Sequence, residues 1–303
     1  MVIASSHFHQ AQRRHFLLFD VLPALGTLAA AGLAFLHPVS AIDLELFGIF
    51  WLLTGLGISV GYHRLFSHRA FETTRPLAAA LLICGSMAGR GPMLSWVAMH
   101  RRHHERTDRE GDMHSPNLHG PGWRGRLRGW LHAHLSWMMR HDYPNLAHYA
   151  PDLLRDSRLL RLNSRYYAWV LLGLLAPAAC GGLLSASWYG ALSGFLWGGA
   201  VRMFAVEQTM SAINSVQHLL GTRPFDLPVE NSRNGAVLGI LAWGEGWHNN
   251  HHAFPYSAAF GLRWYQLDLG YGLILLLKAG GLAWDVKRPG PDRIQARLAE
   301  LAD

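Results

Sequence analysis

The sequence predicts an all-α integral membrane protein, four transmembrane helices topped by a cytoplasmic helical cap that holds a His-rich metal centre. Three observations point there. Half of the 303 residues are apolar and only 16% are charged, against roughly 25% in soluble domains. Four apolar stretches approach the roughly 20 residues that a bilayer requires. The histidines gather in four clusters, each at or beyond the end of a span.

The four stretches are residues 16–37, 42–62, 167–184 and 188–213. The first follows "RRHF" and precedes "VSA", as a secretory leader would. Its apolar part is too long for one, and a second span follows almost at once. A fifth stretch, 77–99, carries Gly85, Gly89, Arg90, Gly91 and Pro92 and fits a helix buried in protein better than one facing lipid. Residues 269–284 read similarly. Cys84 and Cys180 sit in apolar surroundings and read as core residues, since two such thiols make no disulfide framework.

Charge orients the spans. The net charge is +7, and the only lysines are Lys278 and Lys287. The connections "HPVSAID" and "LSASW" contain no Lys or Arg. Arg13, Arg14, the segment 63–166 and the tail from 214 hold nearly all the rest. The positive-inside rule then puts both termini and a cap made of 63–166 and 214–303 in the cytoplasm. A basic excess can signal nucleic acid, but beside these spans it reads as membrane-surface charge. No repeat or linker divides the chain, so 1–303 reads as one domain.

The histidines carry the chemistry. "HRRHH" at 100–104 and "HNNHH" at 248–252 share one spacing, and a helix brings positions i, i+3 and i+4 to one face. His63 and His68 follow the second span; being five apart, they converge only where the helix ends or distorts. Asn214 and His218, four apart, follow the last span. One such cluster could be an incidental polar face; two with the same spacing argue for ligands. Nine imidazoles and no thiolate suit a pair of first-row metals such as iron, copper or zinc. A His-rich transporter would instead place histidines along a path inside the spans.

The order "HRLFSH", "HRRHH", "NSVQH", "HNNHH", with the neighbours "GDMHSP", "HAHLSW", "YAPDLLRD" and "GEGWHNNHHAFP", resembles the membrane fatty acyl desaturases, in particular the stearoyl-CoA 9-desaturase branch. The resemblance runs from about residue 45 to "GLAWDVKRP" at 282–289. It implies two iron ions held by His63, His68, His100, His103, His104, His218, His248, His251 and His252, with Asn214 binding through a water. It implies removal of two hydrogens from a long-chain acyl thioester or acyl lipid, most simply acyl-CoA at a Δ9-type position. Dioxygen is the oxidant. Two electrons come from a separate donor, a ferredoxin or a cytochrome-type carrier with its reductase. The setting is a membrane, such as a bacterial plasma membrane, with the site on its cytoplasmic side. An acetylenase or hydroxylase on the same centre is the alternative.

Other residues enter as candidates. Asp108, Asp112 and Glu245 lie within a few residues of the ligands and could accept from their outer ring nitrogens. The remaining histidines of the cap, including His114, read as ordinary surface or core residues, and Trp137 and Trp247 as packing. Arg69, Arg101 and Arg102 are the arginines nearest the ligands and candidates for the substrate's head group. The resemblance places a Thr-Trp pair before Asn214, where this chain has Met210 and Ser211. A smaller residue there predicts an altered acyl tunnel. Arg202 and Glu207 lie inside the last span, either as a mutual pair or as functional groups.

Overall fold

Three helices are long and apolar enough to cross a bilayer: Ser6–Ala34 (α1), Ala41–Ser67 (α2) and Tyr166–Ser185 (α6). They come from a computed structural model that describes residues 1–3 and 5–299. Ser40 starts α2 with a reciprocal cap, its hydroxyl accepting from Asp43 N while the Asp43 carboxylate accepts from Ser40. This satisfies backbone donors that the helix start would otherwise leave open. α1 begins ten residues before the apolar stretch does, so its first turns are polar and basic.

Between α2 and α6 lie Arg75–Ser86 (α3), Met93–Arg106 (α4) and Gly122–His134 (α5). The stretch 77–99 is therefore broken in two. Gly89 and Gly91 take φ of +83° and +95° at the break, a conformation that side chains resist, and Pro92 opens α4. After α6, Ala186 turns in the left-handed region and Ser187 caps the next helix.

That helix, α7, runs without interruption over 188–215, as Trp188–Gly194, a π-helical stretch Phe195–Val201, and Arg202–Ser215. It packs against α6 where Gly181, Gly190 and Gly194 let the backbones approach. Its polar interior residues keep it outside the set of three strongly apolar spans. Arg202 does not pair with Glu207. Five residues apart, they face about 140° away from each other, and Arg202 donates to the carbonyls of Gly198, Met87 and Gly173.

The rest of the chain closes over one end of these helices. His248–Ala253 forms a short helix, α8, and Leu269–Ala279 forms α9. Two small antiparallel ladders tie distant segments together, Val2–Ile3 to Tyr143–Pro144 and Glu72–Thr73 to Ala283–Trp284. The main core, with Ile58, Tyr62, Trp96, Met210, Ile213 and Trp243, lies between α2, α4 and α7. The thiols are not core residues as expected: Cys84 is half-buried, and Cys180 is exposed on the outer face of α6.

Candidate metal centre

The second half of α2 solves the spacing of His63 and His68. From Gly57 to Ser67 the helix is π-wound, and His68 N donates to His63 O in an i→i+5 bond. The wider winding brings residues five apart much nearer one face than an α-helix does, and the two rings lie 5.0 Å apart.

Nine imidazoles converge on two adjoining groups. His63, His68, His100, His104 and His251 form one; His103, His218, His248 and His252 form the other, and within each the ligand atoms lie within 4.8 Å of one another. The groups abut through His104 and His252, stacked at 4.5 Å. The division explains the repeated motif. In "HRRHH" the histidines at positions one and five, His100 and His104, enter the group of five, and the one at position four, His103, crosses over. In "HNNHH" those at positions one and five enter the group of four, and the one at position four crosses the other way. The two motifs are reciprocal.

The residues inside each motif fix it in place. Arg101 donates to the carbonyls of Phe66, Ser67 and Tyr149 and to Asp152. Arg102 is buried and donates to Asp142 O. Asn249 exchanges bonds with the backbone of Phe225, and Asn250 donates to Phe260 O. Of the three arginines expected at the substrate's head group, Arg101 and Arg102 are thus occupied in bracing α4. Arg69 has an exposed side chain and is paired with Asp152.

Carboxylates hold the outer nitrogens of four rings. Glu245 accepts from His63 Nδ1, Asp112 from His103 at 3.1 Å, Asp108 from His218 at 3.2 Å, and Glu230 from His252 at 3.3 Å. Glu245 is itself clamped by Ser59 and by fully buried Arg64, which also reaches Asp268 at 2.9 Å. Burial alone would raise the Glu245 carboxyl; His63, Arg64 and Ser59 outweigh it and hold the group below the usual range. Glu230 is drawn to about 2, with His252 overcoming the effect of burial. Sequence reasoning did not identify Glu230 or Arg64. Glu230 is 22 residues from its histidine in a loop without pattern, and Arg64 meets Glu245 across 181 positions of sequence.

The inward nitrogens have the geometry of a ligand set. Successive Nε2 atoms of His63, His251, His104, His100 and His68 stand 2.8–3.0 Å apart. Those of His218, His248 and His252 stand 3.0 and 3.1 Å apart. Adjacent ligands on a metal with bonds of about 2.1 Å lie about 3 Å apart. One proton cannot serve an Nε2 with two such neighbours. His103 Nε2 is buried with no hydrogen-bond partner among the described residues. Burial, aided by neighbouring rings, pushes His100, His104, His248 and His251 well below the usual histidine value, which keeps them in the neutral form that binds metal. These residues fit a pair of transition-metal ions.

A cavity of about 600 Å³ opens beside the centre, lined among others by Trp96, His100, His114, Met210 and Asn214. His114 is buried against His103, with ring centroids 4.3 Å apart, and so belongs to the site. Trp137 also lines the cavity, while Trp247 donates to Leu267 O at 2.7 Å. Ser211 is buried behind the wall, its hydroxyl donating to Glu207 at 2.9 Å.

Comparison with known proteins gives these features a context. The fatty acid desaturase family model matches residues 43–275. The chain is 48% identical over 297 residues to a hex-5-enoyl-[acyl-carrier protein] acetylenase of Moorena producens (strain JHB), covering 97% of this chain and 92% of that one. It is 33% identical over 272 residues to an sn-1 stearoyl-lipid 9-desaturase of Anabaena variabilis, covering 89% and 88%. It is 31% identical over 302 residues to an icosanoyl-CoA 5-desaturase of Limnanthes douglasii, covering 96% and 78%.

Proposed function

The chain belongs to the fatty acid desaturase family, and on that premise we propose a di-iron enzyme that uses dioxygen and two electrons from a separate donor protein to unsaturate an acyl chain. It is an oxidoreductase of fatty acyl chains. The observation that carries the di-iron reading is the convergence of nine imidazoles in groups of five and four against one cavity.

His63, His68, His100, His104 and His251 would hold one iron. His103, His218, His248 and His252 would hold the other, with Asn214 positioning a water. When bound, the irons supply the oxidising power to take hydrogen from a methylene that no acid or base could activate. The chain's own residues do the rest. Glu245, Asp112, Asp108 and Glu230 fix the tautomer of four ligands, so that their lone pairs face inward. Trp96 and Met210 shape the apolar wall that orients the acyl chain.

The placement we favour has α7 as the fourth span, about 42 Å long at 1.5 Å per residue, and the metal end, both termini and the cap in the cytoplasm. The connections on the opposite side, which contain no Lys or Arg, support it.

A second reading is specifically favoured by the 48% identity to the Moorena protein: formation of a triple bond in a short alkenoyl group carried by an acyl carrier protein. It requires the same hydrogen removal. One experiment separates the readings. The iron-loaded protein, with a ferredoxin and reductase, is offered stearoyl-CoA, a stearoyl lipid and short saturated or terminally unsaturated acyl-carrier-protein thioesters, and products are identified by mass spectrometry. A stoichiometry of two irons with oxygen-dependent loss of two hydrogens is expected. Turnover without iron or oxygen would refute the proposal.

A further inference from the structure

The cavity beside the metal centre does not end on hydrocarbon. Its lining includes Arg90 and Glu207, an ion pair whose side chains are each 6% exposed, with Asp20 of α1 beside Glu207. Two elements give the same order. On α7, Asn214, Met210 and Glu207 line the cavity on successive turns, leading away from His218. On α4, His100 stacks on Trp96 one turn earlier, and Arg90 lies just before the helix starts. Arg90 also reaches Ser211 Oγ at 3.4 Å, and Ser211 in turn donates to Glu207. The room left by a small residue at 211 is therefore filled by the guanidinium, not by substrate. On the Gly89 side of the pair the protein is packed. A Cβ on Gly89 would stand 2.6 Å from Met203, and Met203 is closed in by Tyr166 and Val170.

We propose that the buried Arg90–Glu207 pair is the floor of the acyl cavity and sets the length of chain the enzyme accepts. The inference rests on the acyl-chain reading above. From the level of Asn214 to that of Ser211 is one turn, about 4.5 Å of helix. An extended alkyl chain advances about 1.3 Å per methylene, the projection of a 1.5 Å bond. About four carbons fit beyond the reacting position, which places the oxidised bond near the methyl end of the chain. A longer tail could enter only by prising the pair apart, which leaves two dehydrated charges without partners.

The test is binding, independent of turnover. The full chain in lipid nanodiscs is titrated calorimetrically with saturated acyl-pantetheine thioesters of six, ten, fourteen and eighteen carbons, with empty nanodiscs as the blank. In an open apolar tunnel each added methylene raises affinity about fourfold. Here the rise is expected to stop at short length, with the eighteen-carbon thioester bound at least tenfold more weakly than the best short one. In the double variant Arg90→Leu/Glu207→Leu, which removes both charges together, the long thioester regains at least tenfold. Wild-type affinity rising through eighteen carbons overturns the inference and leaves the acyl reading standing. So does a folded double variant with an unchanged length profile. Binding of no thioester at any length overturns both. The wild-type series decides alone if the double variant does not fold.

Discussion

Replacing Glu245 by Gln removes one charge from the wall of the group of five and leaves its shape. Glu245 is 1% exposed and bonds His63, Arg64 and Ser59. Arg64 keeps Asp268 at 2.9 Å and Ala258 O at 2.8 Å, so the fold survives. His63 loses the anion that fixes its tautomer and raises its basicity. Loss of such a partner typically weakens metal binding 10- to 100-fold, or about 1.4–2.7 kcal/mol. His63 is the one member of its group with a carboxylate on the outer nitrogen among the described residues, whereas three of the other four rings have one. The loss should therefore fall on one iron. Dialysis against graded chelator, followed by iron counting, should show Glu245→Gln passing through a plateau near one iron per chain. Asp108→Asn should deplete the opposite site. Equal loss of both irons in Glu245→Gln, or retention of both at chelator concentrations that strip the wild type, would refute the division into five and four.

Three further outcomes follow from the same geometry. In metal-free protein, His100, His104, His248 and His251 resist protonation because they are buried. The unfolded chain then binds more protons below its histidine pKa of about 6.5, so stability falls as pH drops through that value; a Tm of the chelated protein that is flat from pH 8 to 5 contradicts this. Ser211→Trp should destabilise the protein rather than shift its product, because the ring displaces Arg90 from Glu207 and overpacks the site at a cost of about 1–3 kcal/mol or more; unchanged thermal stability in detergent would argue against it. Gly55→Ala would drive a methyl into the Trp243 ring, two residues before Glu245. It should cost about 1–3 kcal/mol by overpacking, read as a lower Tm with iron still present.

Local pattern made the ligands legible. The shared spacing of 100–104 and 248–252 identified imidazole faces, because helix geometry is a property of a few consecutive residues. Asp108, Asp112 and Glu245 were within sight because they sit next to ligands. What needed the fold was long-range. Glu230 and Arg64 reach the site only through tertiary packing, and the crossing of His103 and His251 depends on how two helices face each other. The π-winding of 57–67 is the distortion that the spacing of His63 and His68 called for, but nothing in the string GISVGYHRLFS announces its form. Ser211 shows the opposite failure. A smaller residue predicted an altered tunnel, and the neighbour that its hydroxyl meets is an arginine 121 positions away, which no local pattern announces.

The reciprocal motifs also set a timetable for biosynthesis. The ligands of each group lie on chain segments separated by most of the protein, His63 against His251 in one and His103 against His252 in the other. At 5–20 residues per second, the 147 residues from His104 to His251 take about 7–29 s to synthesise. Throughout that interval His63, His68, His100 and His104 can meet as a partial set without His251, and a partial nitrogen site favours copper or zinc over ferrous iron. On the di-iron reading, correct metallation would thus depend on the last fifth of the chain arriving before a competing metal does, so a ribosome stalled before residue 248 would leave a nascent chain primed for the wrong metal.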